Sequence, residues 1–193
     1  MKKIVMFAVA AVMFCTTAMA KKADPVTVES GSLAVVKQEA KATVVYDYSN
    51  LVVSGMSLDD FLASQTEKFL NDWDSVIVPY SEQMFSAGCS AYLNRAKFLV
   101  VSEGDADYKI VLHLTYLDLG NIGANFNPFA GIKGGGATVS GTIDFVNNAT
   151  GETVCTVKFN EFKGLNGYND KDRWGSAYLM LMQNVGKIAK KTK

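Results

Sequence analysis

Residues 137–162 read ATVSGTIDFVNNATGETVCTVKFNEF, two alternating runs joined by a turn. In the first run Val139, Gly141, Ile143 and Phe145 fall on one side, and in the second Cys155, Val157 and Phe159 do. A period of two broken by NNATG predicts an antiparallel hairpin with one apolar face. Such a face has to be covered, and the sequence supplies a cover. From about Asp172 to Lys190 the apolar residues Tyr178, Leu181, Val185 and Ile188 recur at helical spacing, and Lys187, Lys190 and Lys191 suit the negative end of the helix dipole.

The rest of the chain extends this plan. KATVVYDYSN (41–50) is β-branched and aromatic and predicts the first firm strand. Ser57 caps SLDDFLASQTEKFL, where Leu58, Phe61, Leu62, Phe69 and Leu70 form one helical face. A second helix, YSEQMFSAGCSAYLNRA, follows Pro79; Gly88 in its middle costs about 1 kcal/mol unless another element packs close to it. KFLVV (97–101) is a continuous apolar run, predicting a strand covered on both faces. Tyr108, Ile110, Leu112, Leu114 and Tyr116 then alternate along a long strand. Residues 21–40, with Pro25 and Gly31, read as a flexible lead-in with an edge strand around Leu33 to Val36. The expected fold is α+β: a single two-layer domain over residues 41–193, with a largely antiparallel sheet of about five strands on two or three helices.

Two turns carry a family resemblance. Ala106-Asp107-Tyr108 opens the long strand, and Asn148-Ala149-Thr150-Gly151-Glu152 closes the hairpin. Over about residues 41–190 this resembles the exported envelope domains related to the amino-terminal domain of TolB and to CsgG. The doubled helical segment departs from that pattern and is more similar to an uncharacterised family of secreted bacterial proteins. The resemblance implies an α+β envelope domain.

The first twenty residues, MKKIVMFAVAAVMFCTTAMA, have the form of a signal peptide: Lys2 and Lys3, an apolar run from Ile4 to Cys15, and the small-x-small step Ala18-Met19-Ala20. The run is too short to span a bilayer. Phe14 before Cys15 does not fit a lipoprotein signal, so cleavage after Ala20 and an exported, periplasmic or extracellular, protein are expected. Loss of Lys2 and Lys3 leaves 17 basic residues of the 19 against 19 acidic ones, a net of −2. That balance lacks the positive footprint of a nucleic-acid binder, and no later stretch reaches membrane-spanning length.

Export permits a disulfide between Cys89 and Cys155, closing a loop of about 66 residues and contributing about 4 kcal/mol in the chain-entropy model. Two separately buried thiols are the other reading.

Three glycines in FAGIKGGGATVSG (129–141) raise the question of a phosphate loop. A Walker motif needs lysine and a hydroxyl residue after its last glycine, whereas Lys133 precedes these glycines and a strand follows them. The loop, residues 120–136, also carries Ile122, Phe126, Phe129 and Ile132. Either these fold back on their own domain, or they form an apolar tip for a protein partner or envelope component.

The chemistry on offer is thin. His113 is the single histidine and reads as a structural or surface residue on the strand face shared by Lys109, Val111, Thr115 and Leu117. No CxxC, HExxH or G-x-S-x-G pattern is present, and AGCSAY gives Cys89 no activating neighbour for a nucleophile's role beside His113. Asp144 shares a polar face with Thr138, Ser140 and Thr142 and reads as solvated. NDWD (71–74) and YNDKDR (168–173) lack the glycine and terminal glutamate of an EF-hand, and Asp172 reads as a helix-start residue. Trp73 and Trp174 lie beside helix ends and read as core or rim. No catalytic set, metal or cofactor is expected. The function these features predict is a non-enzymatic, exported binding module of the cell envelope. The alternatives are a small-ligand carrier, with a pocket beneath Tyr108 to Tyr116 between sheet and helices, and a hydrolase whose site leaves no linear signature.

Overall fold

The structure is a computed structural model that describes residues 24–94, 98–120 and 135–192. The leader and the loop residues Ile122, Phe126, Phe129 and Ile132 lie outside the described residues. In chain order the strands are β1 (Val26–Gly31), β2 (Ala40–Asp47), β3 (Val52–Val53), β4 (Met56–Ser57), β5 (Phe98–Val100), β6 (Tyr108–Asp118), β7 (Thr138–Asn147) and β8 (Thr153–Lys163). The helices are α1 (Leu58–Ala63), α2 (Glu67–Asp72), α3 (Val78–Leu93) and α4 (Asp170–Lys191). All eight strands belong to one sheet, whose main path runs β1-β8-β7-β6-β2-β5.

The expected hairpin is its centre. Ile143 faces Val157 and Phe145 faces Cys155 across the β7–β8 pairing, and all four are fully buried. The count of about five strands is corrected to eight, and the sheet is mixed. β6, β7, β8 and β1 pair antiparallel, whereas β2 runs parallel to both β6 and β5 because the helical segment carries the chain over the sheet between them. The two-residue strands β3 and β4 are too short to leave a periodic signal.

Other expectations also change. The supposed lead-in is ordered from β1, which pairs with β8, while Leu33–Lys37 forms a 3-10 turn and not an edge strand. Leu33 and Val36 are buried there because Ser32 caps the turn and folds them under the sheet end. β5 is an edge strand, not one covered on both faces: Leu99 is 47% exposed. On β6 the alternation breaks at Thr115, an extra residue between the Leu114–Gly141 and Tyr116–Ser140 pairs. The bulge turns Leu117 into the core and Tyr116 out of it.

Ser57 caps α1 as expected, its hydroxyl accepting from the Asp60 amide at 3.2 Å. That helix stops at Ser64, and Thr66 caps a new start by accepting from Phe69 N. α2 then runs through a π-helical turn, Trp73–Ile77, into α3. α3 packs against α4, and both lie on one face of the sheet. At the crossing a Cβ on Gly88 would lie 2.8 Å from the Cβ of Met182, and one on Gly186 would lie 2.8 Å from the Cβ of Tyr92. Gly88 is the close approach that its position in a helix requires.

Between helices and sheet lies a chain of rings. Trp174 sits 5.4 Å from Trp73, 5.6 Å from Tyr178 and 6.1 Å from Tyr48; Phe85 touches both Tyr178 and Tyr46. Phe61 and Phe69 close the far side against Trp73. Among the described residues no helix is long and apolar enough to cross a membrane.

Candidate functional site on the open sheet face

Tyr46 reaches α3, where its hydroxyl donates to the Glu82 carbonyl at 2.7 Å and lies 2.6 Å from Ser86 Oγ. Ala42, Val44 and Tyr46 therefore face the helices, and Lys41, Thr43, Val45 and Asp47 face the other way. The pairing of Asp47 with His113, and of His113 with Thr142, carries this second face across β6 and β7. None of Thr43, Asp47, Val111, His113, Thr142 or Asp144 is buried, so among the described residues helices cover the sheet on one side only.

At the middle of the open face His113 stands between two carboxylates. Its Nδ1 is 2.7 Å from Asp47 Oδ2, and its Nε2 is 3.5 Å from Asp144 Oδ2. Hydrogen bonds from the Ser49 hydroxyl and amide, then from His113, hold the Asp47 carboxyl at about 2, well below the usual carboxylate range. Asp144 keeps one oxygen, Oδ1, buried with no hydrogen-bond partner among the described residues. The Nδ1 contact is a hydrogen bond, whereas the Nε2 contact is a longer approach with no hydrogen bond. The sequence reads His113 as a structural or surface residue and Asp144 as part of a polar strand face, and does not bring them together. Register is the missing information: Asp47 is sixty-six positions from His113 and meets it only through parallel pairing.

The remaining candidates have other places. Cys89 and Cys155 are fully buried, separate thiols on the helix face, raised by burial, Cys155 to about 11. Cys89 is thus on the opposite side of the sheet from His113, and the two do not form a pair. Asp72 of NDWD pairs with Lys68 at 2.5 Å. In YNDKDR, Asn169 caps α4 by accepting from Asp172 N at 2.9 Å, and Asp170 pairs with Arg173. Both acidic stretches serve helix ends, and among the described residues no group of three or more His, Cys, Asp or Glu is arranged to hold a metal ion. Arg173 is fully buried, donating from Nε to the Leu119 carbonyl at 2.6 Å. Trp73 and Trp174 are core.

The two turn motifs stitch the lower end of the sheet. Asp107 accepts from Lys41 N at 2.8 Å and donates its own amide to the Lys41 carbonyl at 2.9 Å. Asn148 Nδ2 donates to the Ala106 carbonyl at 2.6 Å, and Asn147 Oδ1 accepts from Ala149 N and Thr150 N.

No family model matches the sequence, and no curated protein matches it. Among solved structures the chain is similar to the PelC dodecamer from Paraburkholderia phytofirmans in space group P6, with TM-score 0.41 and 12% identity over 82% of this chain and 95% of that one. A PelC variant dodecamer from the same organism in space group C2 gives TM-score 0.36 and 14% identity over 82% and 93%. Protein XCC0632 from Xanthomonas campestris, of family model DUF330, gives TM-score 0.31 and 13% identity over 77% and 79%. These are not TolB or CsgG domains, and the resemblance drawn from the two turns is corrected accordingly. The physical reason is that those residues close backbone groups at a sheet end, a task set by local geometry that any sheet with adjoining strand ends shares.

Proposed function

We propose that this chain is an exported interaction module of the cell envelope that recognises a protein partner through its surface and performs no bond-making step. The observation that carries the reading is the asymmetry of the sheet. One face is sealed under rings and helices, while the other, from Lys41 across His113 to Lys158, carries no helix among the described residues and mixes both charges with threonines.

The same asymmetry weighs against a small-ligand carrier. Ile110, Leu112 and Leu114, beneath which a pocket was expected, are at most 1% exposed, and Phe85, Trp174 and Tyr178 are buried on the helix side of the sheet. The apolar residues Ile122, Phe126, Phe129 and Ile132 belong to the proposal as a second contact.

The test is a pull-down from periplasmic extract with three proteins: wild type, Thr142→Lys on the open face, and Phe126→Ser with Phe129→Ser. A partner retained by wild type and lost by either variant, with unchanged melting, supports the reading. Recovery of nothing above background by wild type overturns it.

A further inference from the structure

We infer that the outer edge of β2 is a docking slot for one extended segment of a partner polypeptide, which adds as a strand to the sheet. This rests on the interaction-module reading and specifies where and how a partner binds.

The edge position beside β2 is filled only at its two ends. β5 pairs with Ala40 to Ala42, and β4 pairs with β3, which continues the line of β2 alongside Tyr116 and Leu117. Between them β2 has no outer neighbour among the described strands. The gap matches the stretch of β6 from Tyr108 to Tyr116. Less the bulge residue, this is about 23 Å at roughly 3.3 Å per residue, room for about five extended residues.

Backbone polarity fixes what fills it. Lys41 O accepts from Asp107 N on the β6 side, and Ala42 O accepts from Val101 N on the outer side. Successive residues of a strand alternate, so the amides and carbonyls of Val44 and Tyr46 point into the gap, where they have no partner among the described residues. Two donors and two acceptors spaced along a strand are complemented by another extended backbone.

The surroundings agree. On the helix side a groove of about 380 Å³, lined by Val44, Tyr46, Val100 and by Gln83, Ser86 and Ala87 of α3, receives alternate side chains. On the open side Val45 is 40% exposed, Leu99 47% and Val52 36%, three exposed large apolar residues along one edge. At the opposite edge β1 carries a bulge between Val28 and Ser30 and the charged Glu29, devices that discourage strand addition; the β2 gap has neither.

The recess also selects the occupant. A second copy presenting its own β2 would be held off, because β4 and β5 project beyond that edge by one strand position, about 4.8 Å. A strand already built into a wider sheet is excluded by the same walls. A terminus or long loop of a partner, β-branched or apolar at alternate positions, enters freely.

The probe is the five-residue peptide acetyl-Thr-Val-Thr-Val-Lys-amide, titrated into isotope-labelled wild-type protein and followed by amide resonances. Two further peptides carry N-methyl groups on all valine amides or on all threonine amides. The expected result is saturable shifts centred on Val44 and Tyr46, with one N-methyl series losing at least tenfold in affinity and the other retaining it. Val44→Pro, whose nitrogen faces the gap and lies outside the β6 ladder, should lose binding too. Unchanged Val44 and Tyr46 resonances at millimolar peptide, or equal binding by both N-methyl series, overturns the inference. So does exchange protection of these two amides in the free protein: a dimer by sedimentation would then assign the slot to a second copy, and a monomer to the chain's own segment. A partner still lost on Thr142→Lys while the peptide fails would sink the slot and leave the module reading standing.

Discussion

Arg173, on the first turn of α4, is fully buried and donates from Nε to the carbonyl oxygen of Leu119 at the end of β6, 2.6 Å away. Its remaining nitrogens are held by the Gly167 carbonyl at 3.4 Å and by Asp170 Oδ1. A single cation thus ties the end of β6 to the start of α4. Burial raises the Asp170 carboxyl, an effect the guanidinium opposes. Replacing one partner of a buried pair leaves the other uncompensated. Arg173→Leu is therefore expected to cost about 3–5 kcal/mol in urea unfolding. A change below 1 kcal/mol would show that the clamp is not needed.

The helix crossing gives a second prediction. A methyl at position 88 meets the Met182 Cβ at 2.8 Å, and that atom is fixed by its own helix. Overpacking of this kind costs about 1–3 kcal/mol, offset by the roughly 1 kcal/mol that alanine gains over glycine in a helix. Gly88→Ala should lower stability by up to about 2 kcal/mol net. An increase in melting temperature would mean that α3 and α4 are further apart than described.

Both thiols are fully buried, and burial raises each of them. Alkylating reagent at neutral pH should leave Cys89 and Cys155 unmodified in the native protein and label both after denaturation without reductant. Failure of the denatured protein to label until reductant is added would restore the disulfide.

Asp47 predicts an acid dependence. Its folded value of about 2 lies below the unfolded value of about 3.9, so its contribution is complete above pH 4 and is lost as pH falls toward 2. Asp47→Asn should flatten the stability profile in that window relative to wild type. Parallel profiles would show that the Ser49 and His113 contacts do not hold the carboxylate.

How much of this was legible in sequence depends on the range of the contact. Val139, Ile143, Phe145, Cys155, Val157 and Phe159 announced their burial through period two, because an antiparallel hairpin is local and both strands carry the same signal. The stripe of α4 was legible for the same reason. Leu117 was misplaced because a bulge is a single unpaired residue with no signature in composition. β5 misled in the other direction: Leu99 is apolar yet exposed, since continuous apolar runs do not reveal whether a strand lies at an edge. The meeting of Asp47 with His113, and the gap beside Val44 and Tyr46, arise from parallel pairing across the helical crossover, while Asp144 joins them through the antiparallel β6–β7 register. Neither has a sequence signal, because each is set by which strands become neighbours and not by what they contain.

The central claim is that recognition uses the uncovered side of the sheet. A photo-crosslinking amino acid placed singly at Thr142 on the open face, and singly at Lys187 on the exposed side of α4, tests it in intact cells. The account predicts a discrete adduct from position 142 and none from position 187 at equal expression. Adducts from position 187 alone, or from neither position, would contradict it.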